Sequence, residues 1–210
     1  MAHFYLAVNH LLTGDFEEAL TEAGRANAVG KDIGDPRLET YAGYTTGWIE
    51  ASRGNAEIAI AACRASLDKA PDRVSRAYAA LFLAFALLEH GDHDQALQRL
   101  GPTMTELEGF AFPQWHALAA VLTGEAYRRG RRLEEAATAT RTGIEIATSA
   151  QYWYAVGTGE RVAAQIARDA RDLQEAADAF DRALCTFNRI GARFEAARTR
   201  AEAGSDKGPS

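Results

Sequence analysis

The sequence predicts an all-α fold of about five helical hairpins followed by a C-terminal helix, and three observations carry that expectation. The first is an internal repeat. GDFEEA ends at Ala19, GNAEIA at Ala59, GDHDQA at Ala96, GRRLEEA at Ala136 and RDLQEA at Ala176, at intervals of 40, 37, 40 and 40 residues. A steady period of this length marks an array whose units bury their apolar faces on one another. The second is the turn before each motif. Gly14, Gly54, Gly91 and Gly130 can take the left-handed conformation that ends a helix, and Asp15, Asn55 and Asp92 carry the side-chain oxygen that caps the next one. The third is where proline falls. Pro36, Pro71 and Pro113 lie between the pairs, where proline can start a helix but not sit inside one.

The elements follow in order. First helices are expected at about 3–13, 37–53, 75–90, 114–129 and 151–170, and second helices at about 15–29, 55–69, 92–108, 132–149 and 172–190. A last helix, about 192–203, offers Phe194 and Ala197 (i, i+3) to cover the final pair. Residues 1–203 read as a single domain with no internal boundary, and the polar 204–210 as a disordered tail. Phe4, Leu6, Val8, Leu11 and Leu12 leave the first hairpin partly apolar. The expectation is a fragment of a longer protein, or pairing of that end with another chain.

Composition narrows the function. A net charge of −6 argues against a general nucleic-acid binder, which needs a basic face. The charge is uneven: residues 1–120 hold 9 Lys/Arg against 16 Asp/Glu, and 121–200 hold 13 against 11. Cys63 and Cys185, far apart in expected helices, read as small core residues of a protein in a reducing compartment. No secretory leader is evident in MAHFYLAVNHLL, and the apolar run at 81–88 is too short for a membrane span. The expected location is cytoplasmic, with no membrane and no nucleic-acid partner.

Within Leu118–Gly143, Gly124 is followed at i+3 by Tyr127, then by Gly130, Leu133 and Ala136. Gly47, Ala59 and Pro71 form a second partial set, and Ala176, Phe180 and Ala183 a third. This alternation of small and aromatic residues resembles the tetratricopeptide repeat (TPR), although a period near 40 exceeds the usual length of about 34. The long repeats, and the ending FNRIGARFEAARTRAEAG, are similar to the arrays of large bacterial signalling proteins that accompany ATPase, cyclase, kinase or LuxR-type domains. The resemblance implies a right-handed superhelix of hairpins whose first helices line a concave groove.

Carried onto this chain, the groove positions of the family are Tyr41, Tyr44 and Trp48, then Tyr78, Leu81, Phe85 and Leu88, then Val121, Glu125, Arg128 and Arg129, and lastly Arg161, Gln165 and Arg168. Tyr41, Tyr44 and Trp48 stand at i, i+3 and i+7, one stripe of one helix. An aromatic wall running into an arginine floor suits a protein or peptide partner with apolar anchors and an acidic part. The plain alternative is ordinary packing between helices. The family's carboxylate clamp finds aromatics, Thr45 and aliphatics where it needs Lys, Asn and Arg, which argues against a receptor for chaperone tails.

Other constellations are thin. Arg128, Arg129, Arg131 and Arg132 surround Gly130 and could hold a phosphate, or pair with Glu134 and Glu135. His90 and His93 are too few for a metal, and His3 and His10 lack a partner. No G-x-S-x-G, P-loop or H-E-x-x-H occurs, and GTGER at 157–161 lies inside an expected helix. The chain therefore reads as a binding scaffold with no cofactor, metal or catalysis. The alternatives are a ligand-sensing module of a regulator, or self-association as a homo-oligomer through the N-terminal hairpin.

Overall fold

The computed structural model describes residues 1–110 and 112–204. Eleven α-helices and no strand form among them. They fall into two compact units, Met1–Ala111 and Phe112–Ser210, where the sequence suggests one uninterrupted domain. The first unit stacks three hairpins: α1 (Ala2–Thr13) with α2 (Phe16–Ile33), α3 (Pro36–Ser52) with α4 (Ala56–Lys69), and α5 (Arg73–His90) with α6 (His93–Glu108). The second holds α7 (Pro113–Arg129) with α8 (Leu133–Ser149), α9 (Trp153–Asp169) with α10 (Leu173–Arg189), and α11 (Arg193–Gly204). Most of the tail expectation falls on 205–210, outside the described residues.

Helix borders match the expected ones to within about two residues, except in α2. That helix continues through Gly30 to Ile33 and ends at Gly34, whose φ of 66° is left-handed. Gly30 serves packing instead. A Cβ there would lie 3.0 Å from both the Glu39 backbone nitrogen and Leu38 Cβ on α3.

Gly14, Gly54 and Gly91 adopt the expected positive φ, but Gly130 does not: its φ is −77°, and Arg131 takes the left-handed place at 61°. Gln151 and Arg171 do the same in the next turns, at 53° and 66°. A non-glycine residue there carries strain of about 1–2 kcal/mol. Capping is also redistributed. Asp92 accepts from Gln95 N as expected (3.3 Å), whereas Asp15 and Asn55 cap nothing. Asp15 instead accepts from the Thr13 hydroxyl at 2.6 Å, and the Asn55 amide donates to Glu50 at 2.7 Å. Pro102 departs from the rule for proline, since it sits inside α6, exposed.

The five repeat alanines are all buried and bring each second helix onto its first. Gly124 shows why a small residue is needed there. A Cβ would collide with the Thr140 hydroxyl and come 3.0 Å from the Ala136 carbonyl. In the first unit the core is aromatic: Tyr44 stacks on Phe82 at 4.9 Å with the rings 5° from parallel, and Trp48 lies 4.8 Å from the same ring. In the second, Val121, Ala136, Val162 and Ile166 cluster beneath Tyr127. Cys63 is buried, and burial pushes its thiol up to about 12. Cys185 is exposed on α10, contrary to the core reading of both cysteines. No helix among the described residues is long and apolar enough to cross a membrane.

Candidate functional site

In the first unit, α1, α3 and α5 lie side by side, and the residues expected to form an aromatic wall fill the seam between them. Tyr44 and Trp48 are each only 2% exposed, and Tyr78, Leu81, Phe85 and Leu88 are buried as well. These residues are core, which corrects the groove assignment. The i, i+3, i+7 stripe that would face a partner instead faces the neighbouring first helix, where the large rings of Tyr44 and Trp48 leave water and pack on Phe82. Tyr41 alone of the set is half-buried; it lies 6.1 Å from Phe4 and 6.4 Å from Tyr78. Burial, with Tyr41 and Asp72 nearby, pushes the Tyr78 phenol up to about 12.

In the second unit the expected basic floor is a set of closed ion pairs. Arg128 Nε and Nη2 fork onto the two oxygens of Glu125 at 2.8 and 2.9 Å, while Nη1 reaches Asp169 on α9 at 2.8 Å. Arg129 pairs with the same Glu125, which is 7% exposed. Burial alone would raise that carboxyl. The hydrogen bonds and charges of Arg128 and Arg129 outweigh it and hold the group below its usual range.

Arg161, Gln165 and Arg168 of α9 are met by α11. Arg161 is buried against Glu195, to which the Tyr154 hydroxyl also donates at 3.2 Å. The Gln165 amide donates to the Glu202 carboxylate at 2.6 Å, and Arg168 Nη1 to the Glu202 carbonyl at 2.9 Å. The acidic group that the sequence reading sought in a partner is thus supplied within the unit, by Asp169, Glu195 and Glu202. Glu195 and Glu202 stand seven residues apart on one face of α11, a spacing legible in the sequence but overlooked.

The remaining clusters are local. Arg132 pairs with Glu135 and lies over the Tyr127 ring at 4.3 Å, and Arg131 is exposed. His3 has a partner after all: its Nδ1 is 2.6 Å from Glu22 on α2. No group of three or more His, Cys, Asp and Glu side chains suited to a metal ion occurs among the described residues.

The first unit also carries an open cleft of about 280 Å³ between α2 and α4. Its floor is Glu39, Gly43 and Thr46 of α3 (i, i+4, i+7), the helix face opposite Tyr41, Tyr44 and Trp48.

No family model and no curated protein matches the chain. Solved structures do match. A Rap protein complexed with competence and sporulation factor superposes with a TM-score of 0.76 at 14% identity, over 96% of this chain and 56% of that one. PlcR of Bacillus thuringiensis, in complex with the peptide PapR7 and DNA, gives 0.78 at 14% identity over 98% of this chain and 74% of that one. BtubC (BKLC) from P. vanneervenii gives 0.62 at 13%, over 93% and 95%. The chain therefore spans little more than half the length of the Rap protein. The shared property is the fold, an all-α TPR-like helical repeat.

Proposed function

We propose that the chain is a peptide- or protein-binding module of a bacterial signalling or regulatory system, with no catalysis of its own. One observation carries the reading: two solved structures that share its fold over 96% and 98% of the chain are complexes, one with competence and sporulation factor and one with PapR7. The physical logic is preorganisation. Helices already fixed by a packed core lose little conformational entropy when a ligand settles on them. Selection of a displayed random heptapeptide library on the immobilised chain tests this. Enriched sequences that bind saturably as synthetic peptides support the function; no enrichment over a Gly/Ser control peptide sinks it.

A second reading, self-association through α1, is favoured by Tyr5 and Leu6, 64% and 44% exposed on that helix. Sedimentation velocity across a concentration series separates the two. A mass that does not change with concentration removes the second.

A further inference from the structure

The cleft between α2 and α4 has the makings of a binding site that the TPR groove positions do not include. Ala23, Gly24 and Asn27 of α2 form one wall, and Ala62, Ala65 and Ser66 of α4 the other. The hydroxyls lining it are already engaged by helix carbonyls: Ser66 donates to Thr40 at 2.7 Å and Thr46 to Ala42 at 2.9 Å. Four polar side chains at the cleft are not engaged. Asn27, Lys31, Glu39 and Lys69 have no hydrogen-bond or ion-pair partner among the described residues.

Lys31 and Lys69 stand in the last turns of α2 and α4, which run parallel because each is antiparallel to α3. Both lysines therefore stand at one end of the cleft, near the start of α3, whose N-terminal amides are already capped by Asp35, which accepts from Arg37 N at 2.9 Å. Among the residues that line the cleft the charged ones are Lys31, Lys69 and Glu39, a balance that favours one carboxylate on the ligand and disfavours several. Asn27 lies one turn from Lys31 on the same face of α2, and its carboxamide offers both a donor and an acceptor, the pair a peptide unit needs. The volume is too small to admit a helix, whose diameter with side chains is about 10–12 Å. It lies near the lower end of the roughly 300–1,000 Å³ typical of ligand pockets.

Gly24 is the second observation. Glycine is the poorest helix former after proline, and here nothing requires it: a Cβ at Gly24 would meet nothing within 4 Å, unlike those at Gly30, Gly47 and Gly124. Its effect is to keep one wall of the cleft low.

We propose that this cleft binds an extended peptide segment with small side chains and one acidic group, its carboxylate held between Lys31 and Lys69 and its backbone by Asn27. The proposal rests on the binding-module function above and assigns it a place.

The test uses the full chain. Heptapeptides enriched on wild type are synthesised with a fluorescent label, and their affinities measured for wild type, Gly24→Leu and Lys31→Glu/Lys69→Glu. Gly24→Leu fills the cleft without touching the core, and its circular-dichroism melt should match or exceed that of wild type. The expected result is a set of sequences with an acidic residue among small ones, whose binding weakens at least about tenfold in both variants, roughly the loss of one good contact. Equal binding by Gly24→Leu overturns the site and leaves the module function standing. A consensus without an acidic residue overturns the carboxylate assignment. No enrichment on wild type overturns the module function and this proposal with it.

Discussion

Arg161 of α9 and Glu195 of α11 form an ion pair that solvent barely reaches, the two residues being 6% and 3% exposed. Each charge left water to form it, so each depends on the other. Replacing one partner strands the second, which in buried pairs destabilises by about 3–5 kcal/mol. Glu195→Ala should therefore release α11, seen as faster amide exchange across Arg193–Gly204. An apolar pair, Arg161→Met with Glu195→Leu, should recover most of the stability. Equal exchange in Glu195→Ala and wild type would mean that the pair holds nothing.

The aromatic seam of the first unit yields a second prediction. Tyr44 lies 4.9 Å from Phe82 in a stacked pair and is buried on all sides. Tyr44→Ala and Trp48→Ala should each cost about 3–5 kcal/mol through lost burial and the cavity left behind. Thermal melts would read this directly. A binding defect without a drop in melting temperature would restore these residues to a recognition surface.

Acid should act on the second unit through Glu125 and Glu195. Burial opposes ionisation of both, but the neighbouring arginines win and hold the carboxyls below their usual range. A carboxyl depressed in the folded state contributes stability that is full above its unfolded value, about 4.3 for glutamate, and is lost as pH falls through the folded value. Stability from this source should be flat near neutrality and decline below about pH 4. Glu195→Gln should flatten the decline when urea midpoints are compared across that range.

Gly124 offers a test of close helix approach. Gly124→Val would drive its methyls into the Thr140 hydroxyl and the Ala136 carbonyl on α8, forcing α7 and α8 apart. Overpacking of this kind costs about 1–3 kcal/mol. A urea titration followed at Trp115 and Trp153, the two tryptophans of the second unit, would report it.

The hairpin array was legible because it rests on a repeated local rule: a turn, then a small residue where two helices touch. The groove was not, and the reason is physical. Helical spacing places Tyr41, Tyr44 and Trp48 on one face but cannot say whether that face meets solvent or another helix. Packing of α3 on α1 and α5 decided it. Arg161 read as a free charge because its partner Glu195 lies 34 residues away. Arg128 has one partner in reach of sequence reasoning, Glu125 at i−3, and a second, Asp169, 41 residues away. The turns illustrate the same limit on a small scale. Gly130 suggested a left-handed residue in the right place, but hydrogen bonding closed the turn one residue later, at Arg131.

The two cysteines make the protein its own reporter. Cys185 is accessible on α10, while Cys63 is enclosed and its thiol is kept protonated. Since the thiolate is the nucleophile, a brief maleimide pulse on the native protein should modify Cys185 and spare Cys63. A dye can thus be placed at one position with no substitution. Once Cys185 is blocked, the slow appearance of label at Cys63 becomes a clock for the opening of the first unit alone.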